Sequence, residues 1–299
     1  MLILVAARAV NRLGAFSLAF LPVLLVQVYD AGLATAGLVM SAFGVATIPS
    51  RLAGGVLADR FGRRTTIAIG LLGCAIAQLA LAAAPGLGAA TAAAVALGLA
   101  FELYEPPSQA LVADLTPPRL RPVAFGLLGA ALAVAGMGAG LVAAAVGAVD
   151  LRWLFVVDAV TCLACAALVL AALPRDRPAA SGGGAAAVLN PWTDRRLLAM
   201  LAAGSVFASV YMAAVVGLPL TLLARGLPPS RAGLLLTVSA VTAVAGQRLL
   251  RIEWEGFVAM RVGYAVLAAG LFATGLATSM PALAAAAVLT ALGDVLLLG

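Results

Sequence analysis

Long runs of apolar residues alternate with short polar turns along the whole chain. Ten runs are long enough to cross a bilayer as helices, since about 20 residues span its roughly 30 Å hydrocarbon core. They cover approximately residues 10–28, 36–58, 66–84, 89–112, 122–149, 153–173, 197–224, 232–250, 258–277 and 281–298. Most connections are brief turns with proline or glycine, which leave no room for a soluble catalytic domain. The pattern predicts an all-α polytopic membrane protein.

The composition agrees with this fold class and excludes several functions. Hydrophobic residues make up 64% of the 299 residues and charged residues only 10%, against about 25% charged in soluble domains. The net charge of +6 comes from arginines spread over several loops, so we expect no nucleic-acid partner. Histidine is absent, and Cys74, Cys162 and Cys165 lie in apolar segments where they pack as small hydrophobes. We therefore predict no enzyme activity, no metal and no cofactor.

The arginines predict the orientation of the chain. If the N-terminus is cytoplasmic, the inner loops and flanks hold fourteen arginines and the outer loops three, with Arg51 set aside as intramembrane. Positive loops stay on the cytoplasmic side. The inner set is Arg8, Arg12, Arg60, Arg63, Arg64, Arg119, Arg121, Arg175, Arg177, Arg195, Arg196, Arg248, Arg251 and Arg261, and the outer set is Arg152, Arg225 and Arg231. We expect a multi-pass protein of the inner (plasma) membrane with a cytoplasmic N-terminus.

A glycine-rich connection divides the chain unequally. Residues 175–196 have the composition of a flexible cytoplasmic linker, which separates a six-helix half, 1–174, from about four helices in 197–299. An offset near 196 residues places Ala36-Gly37-Leu38 on Ala232-Gly233-Leu234. This weak similarity is either an internal repeat, as many transporters have, or chance among apolar residues.

The turn from Gly55 to Arg64 is the most informative segment. It is short and charged, and it lies between two spanning segments, so we interpret it as a cytoplasmic hinge between helices. Gly55 and Gly62 are expected to permit a tight turn, and the arginines to stay in the anionic interfacial layer. Asp59 is placed to pair with Arg63, and Asp114 is a second acidic partner within reach.

This turn closely resembles the signature between helices 2 and 3 of the major facilitator superfamily. Further resemblance lies in Pro107 to Asp114 and in Trp153-Leu154-Phe155. The resemblance implies a gradient-driven carrier that alternates between inward-open and outward-open forms, with bacterial drug-efflux and metabolite-efflux members the most similar. It also implies that the charged cluster latches one conformation; the alternative is that the charges only fix topology. The gating motif comprises Gly55, Asp59, Arg60, Gly62, Arg63, Arg64 and Asp114.

The sequence departs from the family pattern in three ways. Leu141 stands where antiporters of the family carry a proline in helix 5, and helix 4 lacks the common central arginine between Ala93 and Leu99. About ten helices are present where twelve are expected. The resemblance therefore implies a major facilitator-like bundle of six helices plus an incomplete second half of about four, either a fragment or a reduced member.

Acidic residues inside the fourth apolar segment are the candidates for chemistry. Glu102 and Glu105 are three residues apart, which places both on one face of a continuous helix. A carboxylate that gains and loses a proton as water access switches sides is what proton coupling requires. The alternative is a structural pair neutralised by Arg12 or Arg51, and Arg51 is also placed to snorkel to the interface.

Two further features of the apolar segments carry expectations. Pro106-Pro107 directly follows the acidic pair, and proline inside a helix removes backbone donors and bends the axis. We expect a bend there. Asp158 is expected to reach the outer interface or to cap its helix locally.

The leading functional hypothesis is a secondary active transporter that exports a small hydrophobic or amphipathic compound in exchange for protons. Its partners are then the solute, protons and the lipid bilayer. Glu102 and Glu105, with Arg12 and Arg51, are the candidate coupling or substrate residues. The alternatives are a truncated, non-transporting membrane protein and an uptake carrier for a small metabolite.

Overall fold

The computed structural model describes residues 2–14, 16–173, 195–246 and 256–298. Within these ranges the chain is helical and contains no strand, which confirms the predicted all-α class. The predicted linker falls on residues outside the described ranges, apart from its last two positions. The helices are α1 Leu2–Gly14, α2 Ser17–Val28, α3 Leu33–Phe61, α4 Arg63–Ala83, α5 Leu87–Phe101, α6 Glu105–Asp114, α7 Arg121–Gly147, α8 Leu151–Ala172, α9 Arg195–Ala224, α10 Ala232–Gly246, α11 Gly256–Leu276 and α12 Met280–Leu298.

Seven stretches of the described chain are long and apolar enough to cross a membrane. Two shorter apolar helices, Met212–Ala224 and Arg261–Leu276, add to them. Each of the ten predicted segments overlaps described helix, and the boundaries differ by a few residues. The seven stretches are Ala6–Val28, Leu33–Phe61, Arg63–Ala83, Leu87–Asp114, Leu127–Gly147, Leu151–Ala172 and Met280–Leu297.

Two of these stretches are interrupted rather than continuous. The first is divided into α1 and α2 between Gly14 and Ser17, and the fourth into α5 and α6 between Phe101 and Glu105. The second interruption follows from Pro106, which lacks an N–H and whose ring would clash with the carbonyl four residues earlier, at Glu102. The predicted bend beside the acidic pair is therefore confirmed, and it is a break of the helix.

Glycines allow the helices to approach where α5 gives way to α6. A Cβ on Gly54 of α3 would lie 2.6 Å from the carbonyl oxygen of Leu103, and one on Gly98 of α5 would lie 2.5 Å from that of Phe43. Both distances are shorter than real contacts allow. Small residues thus bring α3 against the backbone of the interrupted helix, as is common between membrane helices.

We refer to α1–α8 and α9–α12 as the two helix groups, and the main described contacts between them are made by α2, α7, α9 and α10. Helix α2 contacts α9, and α7 contacts α10 and the 3₁₀ turn Pro229–Arg231. The Thr237 hydroxyl donates to the carbonyl oxygen of Met137 at 3.2 Å. The contacts of α7 with α10 include Met137 and Gly140, which lie in the middle of α7.

We predict that Gly140→Ala destabilises the fold by about 1–3 kcal/mol, the usual range for overpacking. A Cβ there would lie 2.5 Å from the Gly233 carbonyl oxygen and 2.8 Å from the Thr237 amide nitrogen, so α7 and α10 must separate. The measurement is the free energy of unfolding in a denaturing-detergent titration. Gly129→Ala on the same helix is the control, because a Cβ there meets no atom within 4 Å. Equal stability of the two variants would contradict the packing argument.

Candidate functional site

The turn between α3 and α4 is made by one glycine in a conformation closed to other residues. Gly62 has φ 86° and ψ 157°, and its amide donates to the carbonyl oxygen of Ala58 at 3.0 Å, which ends α3. This region of backbone space is occupied almost exclusively by glycine. The next helix, α4, begins at the following residue. The predicted role of Gly62 in a tight turn is thus supported by its geometry.

The arginines after Gly62 tie this turn to the ends of two other helices. Arg63 pairs with Asp114 at the end of α6 and donates to the Ala110 carbonyl oxygen at 3.0 Å. Arg64 donates to the carbonyl oxygen of Leu170 near the end of α8. Unpaired carbonyls at helix ends carry partial negative charge, so cations are favourable there. One turn therefore fastens α4 to both α6 and α8.

Two expectations about this turn are wrong. Gly55 is not part of the turn: it lies within α3, it is exposed, and a Cβ on it would meet nothing within 4 Å. The glycine that brings the backbones together is its neighbour Gly54. Arg63 pairs with Asp114 rather than with Asp59, which is exposed and makes no ion pair among the described residues. Arg60 is also exposed and lies over the ring of Phe61.

A second charged site surrounds the break between α5 and α6. Glu105, the first residue of α6, pairs with Arg8 of α1 and accepts a hydrogen bond from Gln109 at 3.1 Å. Arg8 is only 9% exposed, and its guanidinium carbon lies 4.9 Å from the centre of the Tyr104 ring. Nε and Nη1 of Arg8 are buried without a hydrogen-bond partner in the part of the chain that the structure describes. Glu105 thus carries the main polar contact of this buried cation.

Glu102 faces a different helix. Its carboxylate lies 3.5 Å from Arg51 of α3, and its backbone amide donates to the Ser50 hydroxyl at 3.1 Å. The Arg51 side chain is 63% exposed whereas that of Glu102 is 22% exposed. The long arginine therefore reaches from the outside of the bundle toward an acid at the break.

The structure corrects the sequence-based view of the acidic pair in three respects. Glu102 and Glu105 do not share a continuous helix, because the backbone leaves the α-helical conformation between them, although they interact electrostatically. The partner of Glu105 is Arg8, which was expected at the inner flank, and Arg12 makes no ion pair among the described residues. Arg51 is confirmed as the partner of Glu102.

A cavity of about 480 Å³ lies elsewhere, between the two helix groups at the end opposite Gly62. It is lined by Gln27 of α2, the last turn of α7, and residues around Ser230. None of the four intramembrane charges at the α5–α6 break lines it. The candidate coupling residues at the charged break therefore lie apart from this cavity.

Comparison with known proteins identifies the family. The family model described as Major Facilitator Superfamily matches residues 4–298. The chain belongs to the major facilitator superfamily. This is a family of membrane transporters and not of enzymes, as the composition predicts.

Two curated relatives match parts of the chain. The uncharacterized MFS-type transporter YqjV of Bacillus subtilis strain 168 is 33% identical over 116 residues, 39% of this chain. The puromycin resistance protein pur8 of Streptomyces alboniger is 38% identical over 144 residues, 46% of this chain. In each case the match covers 28% of the relative's own length.

Solved major facilitator structures share the fold at low sequence identity. The xylose transporter XylE from E. coli, in a partially occluded inward-open conformation, aligns with a TM-score of 0.75 at 14% identity, covering 98% of this chain and 83% of that one. A bacterial homolog of the human lysosomal transporter Spinster, inward-facing and occupied, aligns at 0.69 and 17% identity, covering 100% and 72%. The peptide transporter POT in complex with sulfate aligns at 0.69 and 16%, covering 99% and 80%.

Sequence reasoning missed the positions of two residues, Arg8 and Asp158. Arg8 lies near the start of an apolar helix and was therefore expected at the inner flank. Asp158 was expected to reach the outer interface or to cap its helix locally, and both are wrong: it lies inside α8, is 4% exposed and is bonded to Ser17 of α2. The missed signal in both cases was a charged residue within a mainly apolar segment, which marks a partner on another helix.

We predict that Gly62→Ala lowers the free energy of unfolding by about 1–3 kcal/mol, the cost of forcing a side chain into this backbone region. The measurement is thermal unfolding in detergent together with denaturant titration. Gly55→Ala provides a matched control seven residues away, because Gly55 is helical and open to its surroundings. Should both substitutions leave stability unchanged, Gly62 would not require its observed conformation.

A second prediction concerns the Arg8–Glu105 pair. Arg8→Gln is expected to destabilise the fold by about 3 kcal/mol, since removing one partner of a buried pair leaves the other charge uncompensated. The double variant Arg8→Gln with Glu105→Gln is expected to recover most of that loss, because no net charge remains. A double-mutant cycle of unfolding free energies measures this coupling.

Arg51→Gln is the control for that cycle, and its cost is expected below about 1 kcal/mol because Arg51 is mainly exposed. Additive effects of the Arg8 and Glu105 substitutions would show that the two side chains do not interact.

Proposed function

We propose that this protein is a proton-coupled exporter of a small hydrophobic or amphipathic compound. The observation that carries the proposal is the pair of carboxylates at the α5–α6 break, each held by an arginine from a different helix. Glu105 is tied to α1 and Glu102 to α3, so protonation of either acid weakens a contact between helices. A proton thereby changes helix packing, which is what coupling to transport requires.

The arginines make this coupling energetically reasonable. An ionised carboxylate within an apolar bundle is costly without a cation, and each glutamate has one within contact distance. A proton that neutralises the glutamate leaves the arginine uncompensated instead. A cationic group of the substrate and the proton therefore compete for the same ionised carboxylate.

The contacts between the helix groups support an inward-open form. With the N-terminus in the cytoplasm, as the arginine distribution indicates, α2–α9 and α7–α10 close the outer side. The solved relatives XylE and the Spinster homolog were captured in inward-open and inward-facing forms. The Arg63–Asp114 pair, with Gly62 and Arg64, lies on the cytoplasmic side in this orientation and is the candidate gating motif. We place the protein in the inner (plasma) membrane.

An apolar or amphipathic solute fits the described surroundings of the acid pair. Tyr104, Leu103 and Phe101 are their chain neighbours, and Phe101 packs edge-on against Phe43 with ring centres 5.6 Å apart. The resistance function in the name of the Streptomyces relative supports export. Puromycin and the lipophilic cation ethidium are accordingly the compounds to test first.

We predict that everted membrane vesicles containing this protein accumulate ethidium or puromycin when a pH gradient is imposed, and that Glu102→Gln abolishes this accumulation. Glutamine keeps the shape of the side chain but cannot bind and release a proton, so we expect folding to be retained. Accumulation with and without the gradient is measured by fluorescence or radiolabel, and folding by thermal unfolding in detergent.

Glu102→Asp is the matched control, because it keeps an ionisable group and is expected to retain partial activity. Full pH-driven accumulation by a folded Glu102→Gln protein would rule out this acid as the coupling group. Accumulation only in right-side-out vesicles would instead support an uptake carrier. If neither compound is transported in either orientation, the result would support a non-transporting membrane protein.

A further inference from the structure

Asp158 lies at the centre of a second polar cluster, separate from the glutamates on which the proposed function depends. Its carboxylate is bonded to the Ser17 hydroxyl of α2 and lies within hydrogen-bonding reach of the Gln78 side chain of α4. On its own helix it meets Cys162, at 3.8 Å, and Thr161, at 3.5 Å. Asn11 of α1 donates to the Cys162 sulfur at 3.2 Å. Three neighbouring segments therefore converge on one buried acid.

No cation compensates this acid in the part of the chain that the structure describes. Helix α1 contributes Asn11; its cation Arg8 is paired with Glu105, and its second cation, Arg12, is exposed and lies beside Gly136 of α7. Helix α4 contributes Gln78 and the thiol of Cys74, which is buried near Asp158. Helix α8 itself adds the buried thiols of Cys162 and Cys165, α2 adds Ser17, and α7 has no titratable side chain between residues 127 and 147.

The packing around Asp158 also excludes water. Asp158 is 4% exposed, and Ser17, Gln78 and Cys162 are between 2% and 3% exposed. Gly14, the last residue of α1, closes the site from one side: a Cβ there would lie 2.6 Å from the Asp158 Cα and 2.7 Å from its Oδ1. Burying a carboxylate costs free energy unless it is paired or neutral, and this one has only neutral partners.

We propose that Asp158 is a proton-binding site in its own right, occupied by a proton while α1 and α2 lie against α8. The proton sits on a carboxylate oxygen and is held by the surrounding hydroxyl, amide and thiol groups. When α1 and α2 move away from α8, water reaches Asp158. The proton then passes from the carboxyl group to that water, and the solvated carboxylate remains ionised.

The test is infrared difference spectroscopy of the full chain in lipid nanodiscs, recorded between acidic and alkaline pH. A protonated carboxyl group gives a C=O band that is separate from the amide bands. We expect this band to persist at neutral pH in the wild type and in the double variant Glu102→Gln with Glu105→Gln, and its main component to disappear in Asp158→Asn. An unchanged band in folded Asp158→Asn would overturn the proposal.

Ser17→Ala keeps the acid and removes one hydrogen-bond partner, so it serves if Asp158→Asn does not fold. The band is expected to shift in Ser17→Ala, and an unmoved band would overturn the assignment.

In heavy water, Gly14→Ala is expected to exchange the Asp158 proton at least tenfold faster, because the added methyl group separates α1 from α8. Gly37→Ala, at an open position, is its control, and equal exchange in the two variants would contradict the sealing role of Gly14.

These measurements do not involve transport. A protein that moves neither ethidium nor puromycin, yet loses the band in Asp158→Asn, retains the proton site while the proposed export fails. A protein that exports either compound, yet keeps an unchanged band in Asp158→Asn, retains the proposed export while the proton site fails.

Discussion

The structure depends on the cost of placing a charge where water cannot reach it. Hydrocarbon offers no hydrogen bonds, so each buried ionic group must find its partner inside the bundle. Arg8 is the clearest case, since it is almost wholly buried and faces Glu105 across the packing of two helices. The pair links α1 to the start of α6.

The break between α5 and α6 makes such pairing possible. A continuous helix satisfies its own backbone hydrogen bonds, whereas the residues between Phe101 and Glu105 leave backbone carbonyl and amide groups to be approached by a neighbouring helix. Gly54 lies close to the Leu103 carbonyl oxygen, and the Ser50 hydroxyl accepts a hydrogen bond from the Glu102 amide. The same stretch thus places two acids on separate backbone segments. Irregular backbone inside a membrane protein is tolerated when protein rather than lipid surrounds it.

The sequence predicts the helices and the charged turn, but it does not predict which side chains meet. Arg8 and Arg12 lie about one helical turn, 5.4 Å, apart on the same face. Which of them reaches Glu105 depends on the axial offset between two helices that are far apart in the chain. Gly54 and Gly55 are adjacent in the sequence and point about 100° apart on the helix, so only the packing of α3 distinguishes them. Gly62 was predictable because its conformation is a local requirement of the turn.

Two buried acidic sites in the same helix group are compensated in opposite ways. Glu102 and Glu105 have arginine partners, and Asp158 has hydroxyl, amide and thiol partners. An arginine in contact with an acid favours its ionised form, whereas neutral partners leave the charge state of the acid to the local solvent. Helix α1 carries Arg8 toward one site and Asn11 toward the other, three residues along the same face. Any displacement of α1 therefore alters the environment of Glu105 and Asp158 together, and this shared helix is a physical link between them.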